Sequence, residues 1–369
     1  MLKIYFTLNV IVYIFHLIIT FVNLISSPRI NTKNKTNNIS QKISILIPMR
    51  NEEKNVIECL RSIYSQNLSN FEVIVLDDNS NDNTYKLLIE QRNIYPNLKI
   101  VKGENLPKGW LGKNWACWQL AQLAQGEVLI FIDADVRMKE NSIQKLIEIF
   151  RSKKVKLLSV FPTQILKSFG ERIIVPNMDW FLLSFLPLIL VYYSKRKEFV
   201  AANGQLLIID KNTYFNIGGH LAVRDKIVED MEIARIIKSR DFKMITLLGN
   251  NLIYCKMYSN FKESFYGFVK NFYPGFSGNN IFFWIVLIDV FLFFLLPFIL
   301  SFFYYPFLVI VSLILLQKIL ISLLAKQNVF INIIYSPLQF LFLLIIGISS
   351  FLSSKRNWII WKERVLELK

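Results

Sequence analysis

The sequence predicts an α/β domain with a mostly parallel sheet and transmembrane helices at both ends of the chain. Two observations support this prediction. Short apolar runs of strand length alternate with helical segments through the middle of the chain, whereas residues 2–25 and 281–352 are apolar almost throughout. The apolar content of 53% is high for a soluble protein. Because about 20 apolar residues span a bilayer, we expect a membrane protein with a soluble middle.

The N-terminal segment, residues 1–26, is interpreted as a retained transmembrane anchor. A signal peptide is the alternative, but the apolar run is long and lacks a small-x-small cleavage site. Residues 27–42 are rich in Asn, Lys, Thr and Ser, which is typical of a linker. The glycosylation sequons at Asn34 and Asn38 would matter only if this linker faces a lumen.

Residues 43–250 are predicted to form the α/β domain. Strands alternating with helices indicate βαβ units and therefore a largely parallel sheet. The predicted strands cover residues 43–48, 71–76, 98–101, 128–132, 155–161, 199–209 and 243–248. The predicted helices cover residues 51–64, 82–91, 114–124, 142–150, 212–217 and 228–238.

Two further segments are predicted to lie in the membrane interface. Residues 173–193 are apolar but contain two prolines, an asparagine and an aspartate, which favours an interfacial position with Trp180, Tyr192 and Tyr193 at headgroup level. Residues 251–280 mix aromatic residues with lysines. Residues 281–352 divide into three apolar segments, of which either two or three span the membrane. Two spans would put the basic tail inside, as the positive-inside rule prefers, and Lys318 makes the middle segment costly. Because all three segments are long enough, we favour three, which gives four spans in total. Residues 353–369 form a basic tail.

The net charge of +16 suits an anionic membrane leaflet and an anionic substrate. Charge alone would also allow nucleic-acid binding, but no nucleic-acid motif is present, so we expect no nucleic-acid partner. Cys59, Cys117 and Cys255 form no zinc pattern and are expected to be buried, unpaired side chains in a reducing compartment.

Acidic residues follow predicted strands or begin a helix at three places. Asp77-Asp78 follows the second strand, Asp133 and Asp135 follow the fourth, and Glu229-Asp230 opens a late helix. Open α/β sheets bind ligands at the carboxyl ends of their strands. Such carboxylates suit a nucleotide diphosphate, because they can hold a divalent cation that neutralises the leaving diphosphate and can take a proton from an acceptor hydroxyl.

Four motifs resemble those of family 2 glycosyltransferases, which have the GT-A fold. ILIPMRNE at 45–52 resembles their opening strand and P-x-x-N-E turn, and VLDDNSNDNT at 75–84 resembles their D-D-x-S-x-D-x-T nucleotide loop. Asp133-Ala134-Asp135 is similar to their metal-binding D-x-D, and residues 228–230 are similar to their late E-D pair. The motifs occur in the family's order, and the resemblance covers roughly residues 43–250.

The resemblance implies roles for individual residues. The donor, a nucleotide sugar such as a UDP-sugar, would bind at the P-x-x-N-E turn, at the nucleotide loop and near the D-x-D motif, which means residues Pro48, Asn51, Glu52, Asp77, Asp78 and Asp133. Asp135, with Asp133, would hold Mg²⁺ or Mn²⁺. Asp230 would be the base of an inverting displacement. Glu229 would assist it, or would simply be a carboxylate favoured by the helix dipole.

GWLGKNWA at 109–116 resembles a G-W-x-G-K-x-W-A segment of a membrane subgroup that includes carotenoid-acid and hopanoid-associated glycosyltransferases. Lys113 at a helix start could bind a donor phosphate. Trp110 and Trp115 could shape a sugar or lipid pocket; the alternative is a packed aromatic loop with a solvated lysine. Trp110, Trp115, Gly204 and Lys270 are together assigned to the acceptor-binding site, which we call the acceptor platform.

The Q-x-x-R-W motif of processive polysaccharide synthases is absent from residues 268–272, which argues against chain extension. Lys270 in this segment is expected to lie near the diphosphate or to extend to lipid headgroups. Lys33, Lys35 and Lys42 after the anchor predict a cytoplasmic catalytic domain on an inner or plasma membrane.

The sequence therefore predicts a membrane-bound inverting glycosyltransferase that moves one sugar to a lipophilic, isoprenoid-type acceptor such as a carotenoid or terpenoid. A glycolipid synthase acting on diacylglycerol, ceramide or polyprenyl phosphate is the alternative within enzymes. A non-catalytic membrane scaffold is the alternative from another class.

Overall fold

The computed structural model describes residues 1–26, 29–30, 41–95 and 97–356, and the backbone of Ile359–Trp361 and Arg364–Leu366. Most of the predicted linker and tail, with Lys33, Lys35 and both sequons, lies outside the described residues. The chain divides into two compact units. We call them the helical unit, which comprises Met1–Ser27, Gln164–Leu190 and Met257–Trp361, and the sheet unit, which comprises Pro28–Thr163, Val191–Lys256 and Lys362–Lys369.

The α-helices are, in chain order, α1 Leu2–Ser26, α2 Val56–Tyr64, α3 Thr84–Arg92, α4 Gly112–Leu123, α5 Ser142–Ser152, α6 Phe169–Ile174, α7 Pro176–Phe185, α8 Ile189–Tyr193, α9 Lys211–Asn216, α10 Gly219–Ala222, α11 Glu229–Ser239, α12 Phe261–Asn271, α13 Asn280–Asp289, α14 Leu296–Leu300, α15 Phe307–Ala325, α16 Val329–Ile334 and α17 Ser336–Lys355. A π-helical turn over Val290–Leu295 joins α13 to α14, and a 3₁₀ turn covers Pro274–Phe276.

The strands are β1 Ile43–Met49, β2 Phe71–Asp77, β3 Leu98–Lys102, β4 Val128–Ile132, β5 Val136–Met138, β6 Leu157–Phe161, β7 Thr163–Gln164, β8 Leu206–Asp210, β9 Met244–Leu248, β10 Ile253–Cys255, β11 Ile359–Trp361 and β12 Arg364–Leu366. The main sheet has seven strands in the order β3-β2-β1-β4-β8-β6-β9. Most neighbours are parallel, as predicted, but β8 runs antiparallel to both β4 and β6.

The centre of the sheet is apolar on both faces, which is why its strands form uninterrupted apolar runs. Every residue of the central strand β4 is buried. The predicted strand over 199–209 is too long at its start, because only Leu206–Asp210 pairs with β4 and β6. Residue Gly204 therefore lies in the turn before β8 and not on a strand.

In the helical unit, four helices are long and apolar enough to cross a membrane: Leu2–Ser26, Asn280–Leu300, Phe307–Ala325 and Ser336–Lys355. Their number agrees with the predicted four spans. Residues 173–193 are split among three short helices instead. Trp180, which was predicted at headgroup level, is 1% exposed and packs against Phe294 and Phe340.

Lys318, the charged residue in the middle apolar segment, has a hydrogen-bond partner on another helix. Lys318 on α15 is buried, and its Nζ donates a hydrogen bond of 2.7 Å to Oε1 of Gln339 on α17. The ammonium also lies 4.5 Å from the ring centre of Phe340. These contacts offset part of the cost of placing a charge among apolar helices. The three cysteines are buried and unpaired, as predicted.

Candidate functional site

The first two acidic motifs lie at one edge of the main sheet. β1 pairs in parallel with β2, where Met49 is opposite Asp77, and with β4, where Leu46 is opposite Phe131. The carboxyl ends of these three strands therefore point the same way. Because neighbouring strands are about 4.8 Å apart, Asp77 and the residue after β4, Asp133, lie roughly 10 Å apart across this edge.

The P-x-x-N-E turn and the nucleotide loop hold each other through backbone-to-side-chain hydrogen bonds. The backbone N–H of Asn51 donates to Oγ of Ser80 at 3.0 Å, and that of Asn81 donates to Oδ1 of Asn51 at 2.9 Å. The N–H of Glu52 donates to Oγ1 of Thr84 at 2.7 Å. The serine and threonine of the loop motif are thus structural here, since they join two loops whose strands end side by side.

Asp77 is almost fully buried at the end of β2, with 3% of its surface exposed. Its Oδ2 accepts a long hydrogen bond of 3.4 Å from the N–H of Ser80. Its Oδ1 is buried without a hydrogen-bond partner among the described residues. A buried acceptor without a hydrogen bond is costly. This makes Oδ1 of Asp77 a candidate to accept a hydrogen bond from a ligand.

Gly103 supports this position and was not identified from the sequence. Its N–H donates to the backbone oxygen of Asp77 at 2.8 Å. A Cβ at this position would lie 2.9 Å from Cδ2 of Leu76 and 3.3 Å from the Asp77 oxygen, so a larger residue would force these neighbours to shift. No composition or spacing signal reveals such a clearance.

The D-x-D turn is fixed at its backbone. The N–H of Asp133 donates to the oxygen of Gln205 at 3.0 Å, and the N–H of Lys256 donates to the oxygen of Asp135 at 3.2 Å. The buried thiol of Cys255 donates a hydrogen bond to the Asp135 carboxylate. Both carboxylates are half-buried at the edge of the sheet, where they can reach a ligand while the turn stays in place.

Arg137 links this turn to the P-x-x-N-E turn, a role the sequence did not reveal. Its Nη1 donates to the backbone oxygen of Ala134 at 2.7 Å, and its Nη2 donates to Oδ1 of Asn55 at 2.8 Å. Nδ2 of Asn55 donates in turn to Oε2 of Glu52 at 2.7 Å. Glu52 therefore positions the D-x-D turn through two intermediates, in addition to any contact it makes with a donor.

Lys113 joins the D-x-D motif to the late acidic pair. Its Nζ lies 3.0 and 3.1 Å from the two carboxylate oxygens of Asp133 and 3.1 Å from Oε1 of Glu229. The side chain of Glu229 is 8% exposed, whereas those of Lys113 and Asp133 are 38% and 28% exposed. Glu229 is thus more than a helix-start carboxylate, because it binds the lysine directly.

Asp230 faces Gly204. The N–H of Gly204 donates to Oδ2 of Asp230 at 2.6 Å, and the N–H of Met231 donates to Oδ1 at 2.8 Å. A Cβ on Gly204 would lie 3.0 Å from Nζ of Lys113, 3.1 Å from Oε1 of Glu229 and 3.5 Å from Oδ2 of Asp230. Gly204 is therefore the small residue around which the lysine and both acids gather.

The charges in this cluster shift one another's pKa values. Burial opposes the charge on Lys113, but Asp133 and Glu229 outweigh it and hold the lysine's pKa well above its ordinary value. Burial likewise opposes the charge on Glu229, but Lys113 keeps its pKa below the ordinary value. Burial and the neighbouring Glu229 raise the pKa of Asp230 to about 7. That value is close to the range in which a carboxylate can act as a base at neutral pH.

The remaining predicted site residues are Trp110, Trp115 and Pro48 in the sheet unit and Lys270 in the helical unit. Trp110 and Trp115 are half-buried and contact each other edge to face, with ring centres 5.0 Å apart. Pro48 is opposite Leu76 in the β1–β2 register. Lys270 is half-buried on α12 and belongs to the helical unit.

We expect Gly204→Ala to lower the rate of the reaction at this site roughly 10- to 100-fold, because a displacement of about 1 Å at reacting groups can cost that much. Stability should change little, since the new Cβ meets the flexible ends of Lys113 and Glu229 and not backbone. Steady-state kinetics and thermal unfolding would check both parts. Gly275→Ala, where a Cβ meets nothing within 4 Å, is the control. An unchanged rate in Gly204→Ala would contradict the view that Gly204 positions the reacting groups of this cluster.

The described residues contain no cluster of three or more His, Cys, Asp or Glu side chains that could hold a metal ion. Asp133 and Asp135 nevertheless fit Mg²⁺ or Mn²⁺, since such ions commonly bind one or two carboxylates together with substrate phosphates. A cation already lies on Asp133 in the form of the Lys113 ammonium. The chemistry of this carboxylate pair is therefore compatible with a divalent cation shared with a ligand.

Comparison with known proteins gives a consistent result. The family model described as glycosyl transferase family 2 matches residues 44–231. The chain is 27% identical over 254 residues to a 4,4'-diaponeurosporenoate glycosyltransferase of Staphylococcus haemolyticus, a match that covers 67% of this chain and 65% of the relative. It is 27% identical over 262 residues to the protein of the same name from Staphylococcus aureus, with 70% and 68% covered. The chain thus spans about two thirds of the length of these relatives, slightly less for the first.

Among solved structures, the chain is similar to a mannosyltransferase from Pyrobaculum calidifontis that was solved with GDP-Man and Mn²⁺. The TM-score is 0.58 at 16% identity, and the match covers 95% of this chain and 98% of that one. At this identity the likeness concerns the fold, which is the predicted GT-A fold with its mostly parallel sheet.

Proposed function

Because the chain belongs to glycosyltransferase family 2, we propose that it transfers a single sugar from a nucleotide-sugar donor to a lipophilic acceptor. The observation that carries this proposal is the cluster in which Lys113 bridges Asp133 and Glu229, with Asp230 beside them. In this cluster, Lys113 and Asp133 can bind a diphosphate together with its metal ion. Asp230 is a second carboxylate, which can act as a base.

The nucleotide of the donor would bind at the end of β2. The partnerless Oδ1 of Asp77 would accept a hydrogen bond from the base, and Asp78 beside it would contact the ribose. Pro48, Asn51 and Glu52 belong to the turn that is joined to this loop. We propose a UDP-sugar as the donor.

Asp135, with Asp133, would hold Mg²⁺ or Mn²⁺, and Lys113 would bind the diphosphate. A divalent cation at this position would neutralise charge on the departing diphosphate. Lys113 lies in the first turn of α4, where the helix dipole also favours an anion. The nucleotide sugar would thus be held through its charged diphosphate at one end and through its nucleobase at the other.

In the proposed reaction the acceptor oxygen forms a bond to the anomeric carbon of the sugar, and the bond from that carbon to the diphosphate oxygen breaks. For a hydroxyl acceptor, the proton passes to Asp230, and attack from the face opposite the diphosphate inverts the anomeric centre. Gly204 orients Asp230 through its N–H at 2.6 Å. Glu229 keeps Lys113 in place beside the base.

We propose an isoprenoid-type acceptor, such as a carotenoid or terpenoid acid or alcohol. The names of the two staphylococcal relatives support this choice, since both are called diaponeurosporenoate glycosyltransferases. A glycolipid synthase that uses diacylglycerol, ceramide or polyprenyl phosphate is the second candidate, because four membrane-length helices suit either kind of acceptor. Trp110 and Trp115 are the residues of the sheet unit that we assign to the acceptor platform, and the role of Lys270 in the helical unit stays a prediction from the sequence.

The enzyme would be an integral protein of the inner or plasma membrane. We propose that the catalytic domain faces the cytoplasm, where nucleotide sugars are made. The lysines that follow the first apolar segment support this orientation by the positive-inside rule.

The test is an assay with the full chain in membranes, a radiolabelled UDP-sugar, Mn²⁺ and apolar acids or alcohols. We expect label in the organic phase with the wild type and with Lys156→Met, which removes an ion pair with Asp210 away from the cluster. No labelled lipid with any of several donors and acceptor pools would contradict the proposal and favour the non-catalytic scaffold.

The pH dependence gives a second test. Asp230 acts as a base only when ionised, and burial together with Glu229 raises its pKa to about 7. With a hydroxyl acceptor, kcat/KM should therefore rise as pH increases through about 7 and fall roughly tenfold for each pH unit below it. A profile that stays flat down to pH 5 would contradict the assigned role of Asp230.

A further inference from the structure

Lys113 contacts Asp133, which is a carboxylate that the proposed metal would also need. Nζ of Lys113 contacts both oxygens of Asp133, at 3.0 and 3.1 Å, and reaches Oε1 of Glu229 at 3.1 Å. One ammonium thus pairs with two carboxylates from different parts of the chain. Both contacts are made within the protein itself, so Lys113 has partners other than a diphosphate.

A divalent cation and Lys113 compete for this place. A divalent cation held by Asp133 would share this carboxylate with the Lys113 ammonium, so the two positive charges would lie close together. Charges of +2 and +1 that lie close together repel strongly near a protein surface. As long as Lys113 contacts Asp133, it therefore opposes the binding of the metal alone to this carboxylate.

A nucleotide diphosphate removes this conflict, because it brings negative charge that both cations can share. Lys113 has a flexible four-carbon stem and starts from the first turn of α4. The missing side chain at Gly204 leaves room around its Nζ, since a Cβ there would lie only 3.0 Å away. The lysine can therefore turn from Asp133 to a phosphate without a backbone change.

We propose that Lys113 is an internal counter-cation that keeps the divalent metal off Asp133 until the nucleotide diphosphate binds. Metal and donor then bind together, and the free enzyme carries no tightly held metal. This inference rests on the proposed function, since it takes the diphosphate and the metal as the ligands of the site. It assigns Lys113 a role in the order of binding, in addition to its contact with the phosphate.

The test measures binding of Mn²⁺ alone, without donor, from the electron paramagnetic resonance signal of free Mn²⁺. The protein is the full chain in detergent. Lys113→Met should bind Mn²⁺ at least tenfold more tightly than the wild type, because Asp133 and Glu229 lose their counter-charge. Lys113→Arg keeps the positive charge and should bind as weakly as the wild type.

A matched control is Lys156→Met. Lys156 also pairs with a carboxylate, at 3.5 Å from Asp210, and its side chain is 43% exposed, compared with 38% for Lys113. This variant should bind Mn²⁺ like the wild type. If thermal unfolding shows that Lys113→Met does not fold, Lys113→Gln replaces it, because the amide can still donate to Asp133 without carrying a charge.

Mn²⁺ binding that is unchanged or weaker in the uncharged variants would overturn the proposal, because Lys113 would then be only a structural ion-pair partner. Absence of Mn²⁺ binding in every form, with and without UDP, would overturn it as well. Transfer of sugar to lipids by the wild type would in that case still support the proposed function, so the two failures can be told apart.

Discussion

Asp230→Asn is expected to lower kcat with a hydroxyl acceptor about 100- to 10,000-fold, the range that loss of a general base produces. The amide keeps the size of the side chain, but its single oxygen replaces only one of the two carboxylate oxygens that accept from the N–H groups of Gly204 and Met231, so one of these two hydrogen bonds is lost. The amide cannot take a proton from the acceptor. Donor binding should remain, because the nucleotide contacts lie at the end of β2.

The acceptor determines how large this effect is. A carboxylate acceptor is already ionised at neutral pH and hardly needs a base, so Asp230→Asn should cost little with an apolar acid. Glu232→Gln serves as control, since it removes another carboxylate from the first turn of the same helix. Full activity of Asp230→Asn toward an alcohol would contradict the role of Asp230, whereas a loss confined to alcohols would reveal which acceptor class needs the base.

Asp135→Asn is expected to reduce transfer at least about 100-fold with every acceptor. A metal ion contributes several kcal/mol of charge stabilisation in such reactions, and about 3 kcal/mol corresponds to more than a hundredfold in rate. The variant should also lose metal-dependent binding of a donor analogue. Initial rates against Mn²⁺ concentration, together with binding of UDP with and without Mn²⁺, would measure both effects.

Asp225→Asn is the control for this variant, because Asp225 is exposed and its nearby ion-pair partner is the adjacent Lys226. Thermal unfolding should be checked as well, since Asp135 accepts a hydrogen bond from the buried thiol of Cys255. Transfer by a folded Asp135→Asn protein at the wild-type rate, with the same Mn²⁺ dependence, would show that Asp135 holds no metal.

Much of the sheet could be predicted from the sequence, because its strands are buried on both faces and stand out as apolar runs. Val128–Ile132 was predicted with the bounds that the structure has. The acids at strand ends could also be anticipated to share one edge, since parallel strands fix that geometry. Pairing partners were harder: β8 runs antiparallel between β4 and β6, and nothing in its local composition distinguishes this from a parallel neighbour.

The internal contacts of the site could not be predicted from local patterns. Lys113 was expected to be available for a phosphate, but its contacts with Asp133 and Glu229 depend on three segments distant in sequence. Gly204 was expected on a strand, whereas it lies in the turn that brings its N–H to Asp230. Arg137 and Gly103 belong to no recognised motif, and their roles follow from clearances and hydrogen bonds that only the folded chain defines.

The most direct test of the account is a mass-spectrometric comparison of lipid extracts from cells that express the wild type or Asp135→Asn. The account predicts one lipid that gains the mass of a single hexose residue, or of another single sugar, in wild-type cells alone. That lipid would identify the acceptor and the sugar together. Identical extracts, in cells that supply several nucleotide sugars and isoprenoid acids or alcohols, would contradict the claim that this chain glycosylates a lipophilic acceptor.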